Sequence, residues 1–118
     1  MSSNRSVLVF IDWFYPAFKA GGPIKSMSNM VSLLSNDIDF FFVTSDRDLL
    51  DNKAFEDVRL DVWVKKPDYS IIYLSESNRN KSQYKKLFNY VNPHTVYING
   101  IFSYNFSIKP LLVFKNSN

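Results

Sequence analysis

Two of the chain's three glycines stand side by side as Gly21 and Gly22, inside the stretch WFYPAFKAGGPIKSMSNMVSLL from Trp13 to Leu34. Pro23, Lys25 and Ser26 follow at once. These residue types, in this order, suit the capture of an anion. A helix starting at about Pro23 loses nothing by the missing proline N–H, because that donor has no partner in a first turn anyway. Gly21 and Gly22 then form the turn, and the next backbone N–H groups, around Lys25 and Ser26, point out of the helix end. Such an end carries roughly +0.5 of an elementary charge, and a phosphate or carboxylate fits it. Lys25 and Lys19 add full charges, and the Ser26 hydroxyl can donate. A plainer reading makes Gly-Gly-Pro only a tight left-handed turn feeding a helix. The residues leave both readings open, because the loop has neither a Gly-Lys-Ser/Thr ending nor a G-x-G-x-x-G fingerprint.

Other chemistries are excluded by what is missing. Without cysteine there is no disulfide framework and no thiolate metal site. A single histidine, His94, cannot build a histidine metal cluster, so no metal and no cofactor is expected. The net charge of +3 and a pI near 9.1 lean towards phosphate-bearing or acidic partners. The charges are scattered with no basic block, so nucleic acid is not expected as a partner.

The elements that must position these residues are legible as hydrophobic patterns. Val7–Asp12 is an apolar, β-branched run suited to a central parallel strand. Ile24, Met27, Met30, Val31 and Leu34 then share one helical face. Ile38–Thr44, containing DFFFV, reads as a second buried strand, and Ser45–Val58 as loop. Val58, Leu60, Val62 and Val64 alternate with polar neighbours as in a half-exposed strand. The turn KKPD, Lys65–Asp68, leads into a returning strand over Tyr69–Ser75, which together make a hairpin insertion. Tyr84, Leu87, Phe88 and Val91 mark a helix within Asn78–Val91, closed by Pro93. TVYIN, Thr95–Asn99, reads as a third core strand, and Ile108, Leu111 and Leu112 as the start of a last helix.

This order predicts an α/β fold: a Rossmann-like parallel sheet with helices on both faces and a β-hairpin insertion. With 118 residues, 46% of them hydrophobic, the chain makes about one domain. Ligands in such sheets sit beyond the C-terminal strand ends, so the loops after Asp12, Thr44 and Asn99 share one rim. His94 falls at the other end of its strand and reads as structural or exposed. Asp12 reads as a turn cap. The N-terminus MSSNRS shows no signal peptide and no apolar run approaches the ~20 residues of a membrane span, so a cytoplasmic location is the default.

Four segments, in order, resemble the N-terminal half of the retaining glycosyltransferases of family 4. They are VLVFIDWFYPAFKAGGPIKSMSNMVSLL, FFVTSDRDL at Phe41–Leu49, LDVWVKKPDYSIIYLS at Leu60–Ser75 and VYINGIFSYNFSIKPLL at Val96–Leu112. The resemblance spans nearly the whole chain. It implies half of a GT-B fold, in which two Rossmann-like halves face a cleft and the N-terminal one receives the acceptor. It further implies that Gly21 and Gly22 approach the diphosphate of a nucleotide-sugar donor, with Lys25 and Ser26 near the leaving group. Family members work without a bound catalytic metal, which leaves backbone dipoles to stabilise the departing phosphate.

By the same resemblance Asp46 and Arg47 face the acceptor, with a solvated turn holding an internal ion pair as their equally weighted alternative. Asn99, Gly100 and Ser103 lie at the end of the last core strand. Many relatives carry a histidine near there, whereas Asn99 orients a hydroxyl but exchanges no proton at neutral pH. No catalytic residue is therefore assigned.

By the same resemblance residues 1–118 are expected to be a partial N-terminal domain, with a donor-binding C-terminal domain as the missing partner. Such a fragment is expected to be inactive alone and to self-associate through exposed apolar surface. The expected acceptor is a polysaccharide or a lipid-linked glycan, with peripheral contact at the inner membrane face. The alternative to this enzyme half is a non-catalytic Rossmann-like binding or interaction module. A receiver-like domain is disfavoured, because Asp12 stands without an acidic cluster or a later phosphoacceptor aspartate.

Overall fold

A computed structural model of the chain describes residues 5–19 and 21–99. The helix expected near Ile108–Leu112 lies outside the described residues. Over the described residues the chain is α/β, with a five-stranded mixed sheet and two α-helices. Its strands are β1 (Arg5–Ile11), β2 (Ile38–Ser45), β3 (Trp63–Lys65), β4 (Ser70–Leu74) and β5 (Thr95–Asn99), with α1 (Gly22–Leu34) after β1 and α2 (Lys81–Val91) after β4. The spatial order is β3-β4-β2-β1-β5. β1 pairs in parallel with both β2 and β5, β2 pairs in parallel with β4, and β3 runs antiparallel to β4.

Burial on both faces explains the apolar runs. Along β1, Val9 and Ile11 point to the α1 side and Leu8 and Phe10 to the α2 side. β2 divides the same way, with Phe40 and Phe42 on the first face and Val43 on the second. Ile24, Met27 and Val31 of α1 cover the first face, and Tyr84 and Leu87 of α2 cover the second. The direction of the chain requires this split. β1 to β2 steps one way along the sheet and β4 to β5 returns past both, so right-handed crossovers put their helices on opposite faces.

Aromatic packing fills the α1 side. The Phe14 ring, from the loop after β1, stacks on Phe42 with centroids 4.4 Å apart and planes at 10°. Tyr69 meets both rings edge-on, at 5.5 Å and 5.3 Å.

The expected hairpin forms, but it is built into the main sheet rather than added to it. β4 continues the parallel set, so Thr95–Asn99 is the fourth parallel strand along the chain and not the third. The predicted strand over Val58–Val64 shrinks to Trp63–Lys65, preceded by an isolated bridge from Leu60 to Tyr73. Asp61 causes the break: it sits at φ 62, a left-handed conformation that interrupts an extended run. Helix α2 starts at Lys81 rather than Asn78. Glu76–Asn78 forms a short 3₁₀ turn, and the extended Asn80 caps the helix by accepting the Gln83 N–H at 2.9 Å. Asn92 ends it in a left-handed conformation, its N–H donating to Phe88 O at 2.8 Å.

Two substitutions probe this core. Phe42→Ala should lower unfolding stability by about 3–5 kcal/mol in a denaturant titration, because it empties a fully buried site against the rings of Phe14, Phe40 and Tyr69. Thr44 is buried at the end of β2 and its hydroxyl has no hydrogen-bond partner. Thr44→Val should therefore raise stability by about 1 kcal/mol, since the methyl replaces an unpaired polar group of similar size.

Candidate functional site

The parallel strands bring the loops after β1, β2 and β4 to one rim, as the element order requires. β1 is where the strand order reverses, with β2 and β4 on one side and β5 on the other. Ligands in open α/β sheets bind at such a switch point. The loop after β1, which carries the glycines, lies there.

Gly21 is the N-cap of α1, at φ 66 and ψ −102. Residues with a Cβ rarely adopt that backbone, so this glycine is required by the turn. A Cβ added at either glycine meets no atom within 4 Å, but Gly22 differs in having no left-handed φ. The turn does not demand a glycine at position 22.

The amide donors differ from the sequence expectation by one turn. Helix α1 begins at Gly22, and the Lys25 N–H already donates to Gly21 O at 3.1 Å. Ser26 lies inside the same helical ladder. The end-facing amides are those of Gly22 and Ile24, because Pro23 has no N–H and the Gly21 N–H donates to Phe18 O at 3.1 Å. Lys25 and Ser26 contribute exposed side chains beside that end. The first turn carries no acidic residue and no side-chain cap, so among the described residues neither of these neutralises the helix end.

Asp46 and Arg47 form an internal charge network, more buried than a solvated turn. Asp46 is 2% exposed. Its Oδ1 accepts from Arg47 Nε at 2.8 Å and from Arg79 Nη2 at 2.6 Å, and its Oδ2 accepts from Arg47 Nη2 at 3.2 Å. Arg47 Nη1 reaches Asn52 O at 3.0 Å and Glu76 Oε1 at 3.1 Å. Arg79 also donates to Leu74 O, joining the end of β4 to the end of β2.

Two further aspartates belong to the rim. Asp48 accepts the backbone N–H groups of Phe18 at 2.9 Å, Leu49 at 2.7 Å and Lys19 at 3.3 Å. Burial by itself would raise its carboxyl, but these amides and the Lys19 charge outweigh burial and hold it below the ordinary value. Asp61 accepts from Ser75 N at 3.0 Å and Ser75 Oγ at 2.8 Å. Its carboxyl is likewise lowered, with burial opposed by hydrogen bonds from Asn78 and Ser75 and by the Arg79 charge. The Tyr73 hydroxyl donates to Tyr15 O, and burial pushes its pKa up to about 12, so it remains a donor at neutral pH.

Of the residues singled out in the sequence, Gly21, Gly22, Lys25 and Ser26 come together at the start of α1. Asp46 and Arg47 come together with Arg79 and Glu76. Asn99 ends β5, and Gly100 and Ser103 lie outside the described residues. His94 sits at the opposite end of the sheet, where its Nδ1 is 3.0 Å from the Ser6 amide. Sequence reasoning missed Asp48, Asp61, Arg79 and Tyr73. Asp48 stands two positions from Asp46 within SDRD, a pattern that does not tell one carboxylate from the other. Arg79 is 33 residues from Asp46, with no local signal linking them.

Among the described residues no group of three or more histidine or acidic side chains could hold a metal ion. Nor is any helix among them long and apolar enough to cross a membrane. Comparison of the chain with protein-family models, with curated proteins and with solved structures finds no match.

Removing Asp46 takes away the buried carboxylate that Arg47 and Arg79 share, leaving Arg47 its more exposed contact with Glu76. Asp46→Ala should cost about 3–5 kcal/mol of unfolding stability in denaturant titration. Lys19 and Asp51 form an exposed pair that water screens, so Asp51→Ala should leave the denaturation midpoint close to wild type in the same assay.

Proposed function

We propose that this chain is the acceptor-side half of a retaining sugar transferase resembling glycosyltransferase family 4, and that its glycine loop receives the diphosphate of a nucleotide-sugar donor. The observation that carries the reading is Gly22. It opens a helix at the switch point of the sheet, the turn itself does not require a glycine there, and a Cβ would project into open space. A missing side chain that the fold does not need leaves room for a ligand to approach the backbone. The amides of Gly22 and Ile24 and the Lys25 ammonium would then face the diphosphate, stabilising charge that develops on the leaving group.

In this reading the nucleotide sugar is held mainly by a second domain, which the proposal names as a partner. The chain would not transfer sugar without it. Asp46 and Arg47 serve as a rigid wall beside the acceptor, since their polar atoms are engaged with each other and with Arg79. The acceptor would be a glycan or a lipid-linked glycan at the inner membrane face.

A second reading, a non-catalytic interaction module, is favoured by one feature of the same rim. Phe18 is 71% exposed and Leu50 90% exposed, an apolar pair on neighbouring loops that a binding partner could cover.

Calorimetric titration with inorganic pyrophosphate separates the two. The wild-type chain should bind it, and Lys25→Ala should weaken binding about tenfold, the loss of one charge-assisted contact. Gly22→Val should abolish binding while leaving the thermal midpoint within a few degrees, because a Cβ at this position has no atom within 4 Å to clash with. Binding unchanged in both variants would sink the assignment of the glycine loop. A chain that ignores pyrophosphate while its apparent mass rises with concentration would fit the interaction module instead.

A further inference from the structure

We infer that Asp48 is a positioning residue for the glycine loop: its carboxylate latches the loop after β1 onto the loop after β2 and so sets where Gly21 and Gly22 present their backbone. The part of this inference that concerns anion binding rests on the reading above. The latch itself does not.

A continuous line of hydrogen bonds runs from the carboxylate to the helix. Asp48 is 4% exposed and accepts the N–H of Phe18 at 2.9 Å from 30 residues away. The carbonyl of Phe18 accepts the Gly21 N–H at 3.1 Å, and the carbonyl of Gly21 accepts the Lys25 N–H at 3.1 Å. The Lys19 N–H, which Asp48 also accepts at 3.3 Å, shares one rigid peptide plane with the Phe18 carbonyl that holds Gly21. Displacing the carboxylate therefore moves the N-cap of α1.

The rest of the loop is tied elsewhere. Its start is held where Ser45 N–H donates to Asp12 O at 3.4 Å and where the Tyr73 hydroxyl meets Tyr15 O. Its middle is anchored by the buried side chains of Phe14 and Ala17. The stretch nearest the glycines is held by side chains of the β2 loop. There Asp48 takes the amides of Phe18 and Lys19, and Asp51 takes the Lys19 ammonium. The exposed Lys19–Asp51 pair is screened by water and weak. The buried, charge-assisted bonds of Asp48 are the strong ones.

Charge is what makes the carboxylate suitable. Its two oxygens accept three N–H groups from two loops. The amide of an asparagine offers only one accepting oxygen, and its NH2 would confront the N–H donors. Asp48→Asn keeps the shape and breaks the latch.

Nuclear magnetic resonance of the full 118-residue chain tests this without any ligand. Asp48→Asn should speed hydrogen exchange of the Gly21 amide about tenfold, the loss of one charge-assisted link. Asp61→Asn removes another depressed rim carboxylate that does not touch the loop, and should leave Gly21 within about twofold of wild type, separating the latch from general destabilisation. Gly21 exchange unchanged by Asp48→Asn would overturn the proposal.

Should that variant fail to fold, the wild-type chain supplies the same answer by acid titration. The Gly21 amide shift should follow the Asp48 carboxyl signal as it titrates below the ordinary aspartate value of 3.8. The charged groups facing Asp48 are Lys19, with its partner Asp51, and the adjacent Arg47. Asp51 is distinguished by its own carboxyl signal. A flat Gly21 response through the Asp48 titration would also overturn the latch.

Pyrophosphate separates this proposal from the functional reading. Wild type that fails to bind, with Gly21 responding to Asp48→Asn, keeps the latch and removes the anion site. Wild type that binds, with both Gly21 exchange and affinity unchanged in Asp48→Asn, keeps the anion site and removes the latch.

Discussion

Strand β1 is paired on both edges and covered on both faces, and the remaining structure is arranged around that burial. Leu8, Val9 and Phe10 are excluded from water, so every peptide group of this stretch must find its partner inside the sheet. β2 and β5 supply those partners in parallel register. Parallel pairing needs long crossovers, which makes room for α1 and α2 and sends the strand ends to a common rim. The glycine loop lies at the switch point because it follows the strand on which the order reverses.

Charge at the rim is spent on holding loops in place. Asp46, Asp48 and Asp61 each join segments far apart in the chain: β2 to Arg79, the loop after β2 to the loop after β1, and the approach to β3 to the end of β4. Buried carboxylates are tolerated only where donors replace the water they lose. Here the donors are arginines, backbone amides and a serine. The result is a rim whose acidic groups are satisfied internally. The first turn of α1 stands in contrast, with two free amides, an exposed lysine and no acid of its own.

The two kinds of group carry different functional weight. A satisfied carboxylate has little left to offer a ligand, but it determines geometry. An uncompensated helix end has a field to offer and needs to be aimed. Joining them through Phe18 and Gly21 links the aim of the end to the β2 loop, so that substitutions in one loop would be felt in the other.

Periodicity in the sequence sufficed for the α/β class, the central strands read over Val7–Asp12 and Ile38–Thr44, the apolar face of α1 and most of α2, because burial leaves its mark on which positions are apolar. The turn demanded by Gly21 was equally local. What it could not contain was anything decided across distance. β4 joined the parallel set because β2 offered an open edge. Asp61 cut the expected strand short because Ser75 was there to receive its carboxylate. The end-facing amides fell at Gly22 and Ile24 because the first helical turn already used the Lys25 N–H, which donates to Gly21 O. Asp46 and Asp48, two positions apart in SDRD, acquired different partners only when Arg79 and the Phe18 amide reached them. Hydrophobic pattern is a property of residues taken along the chain, whereas a hydrogen bond between residues thirty positions apart exists only once the fold has brought them together.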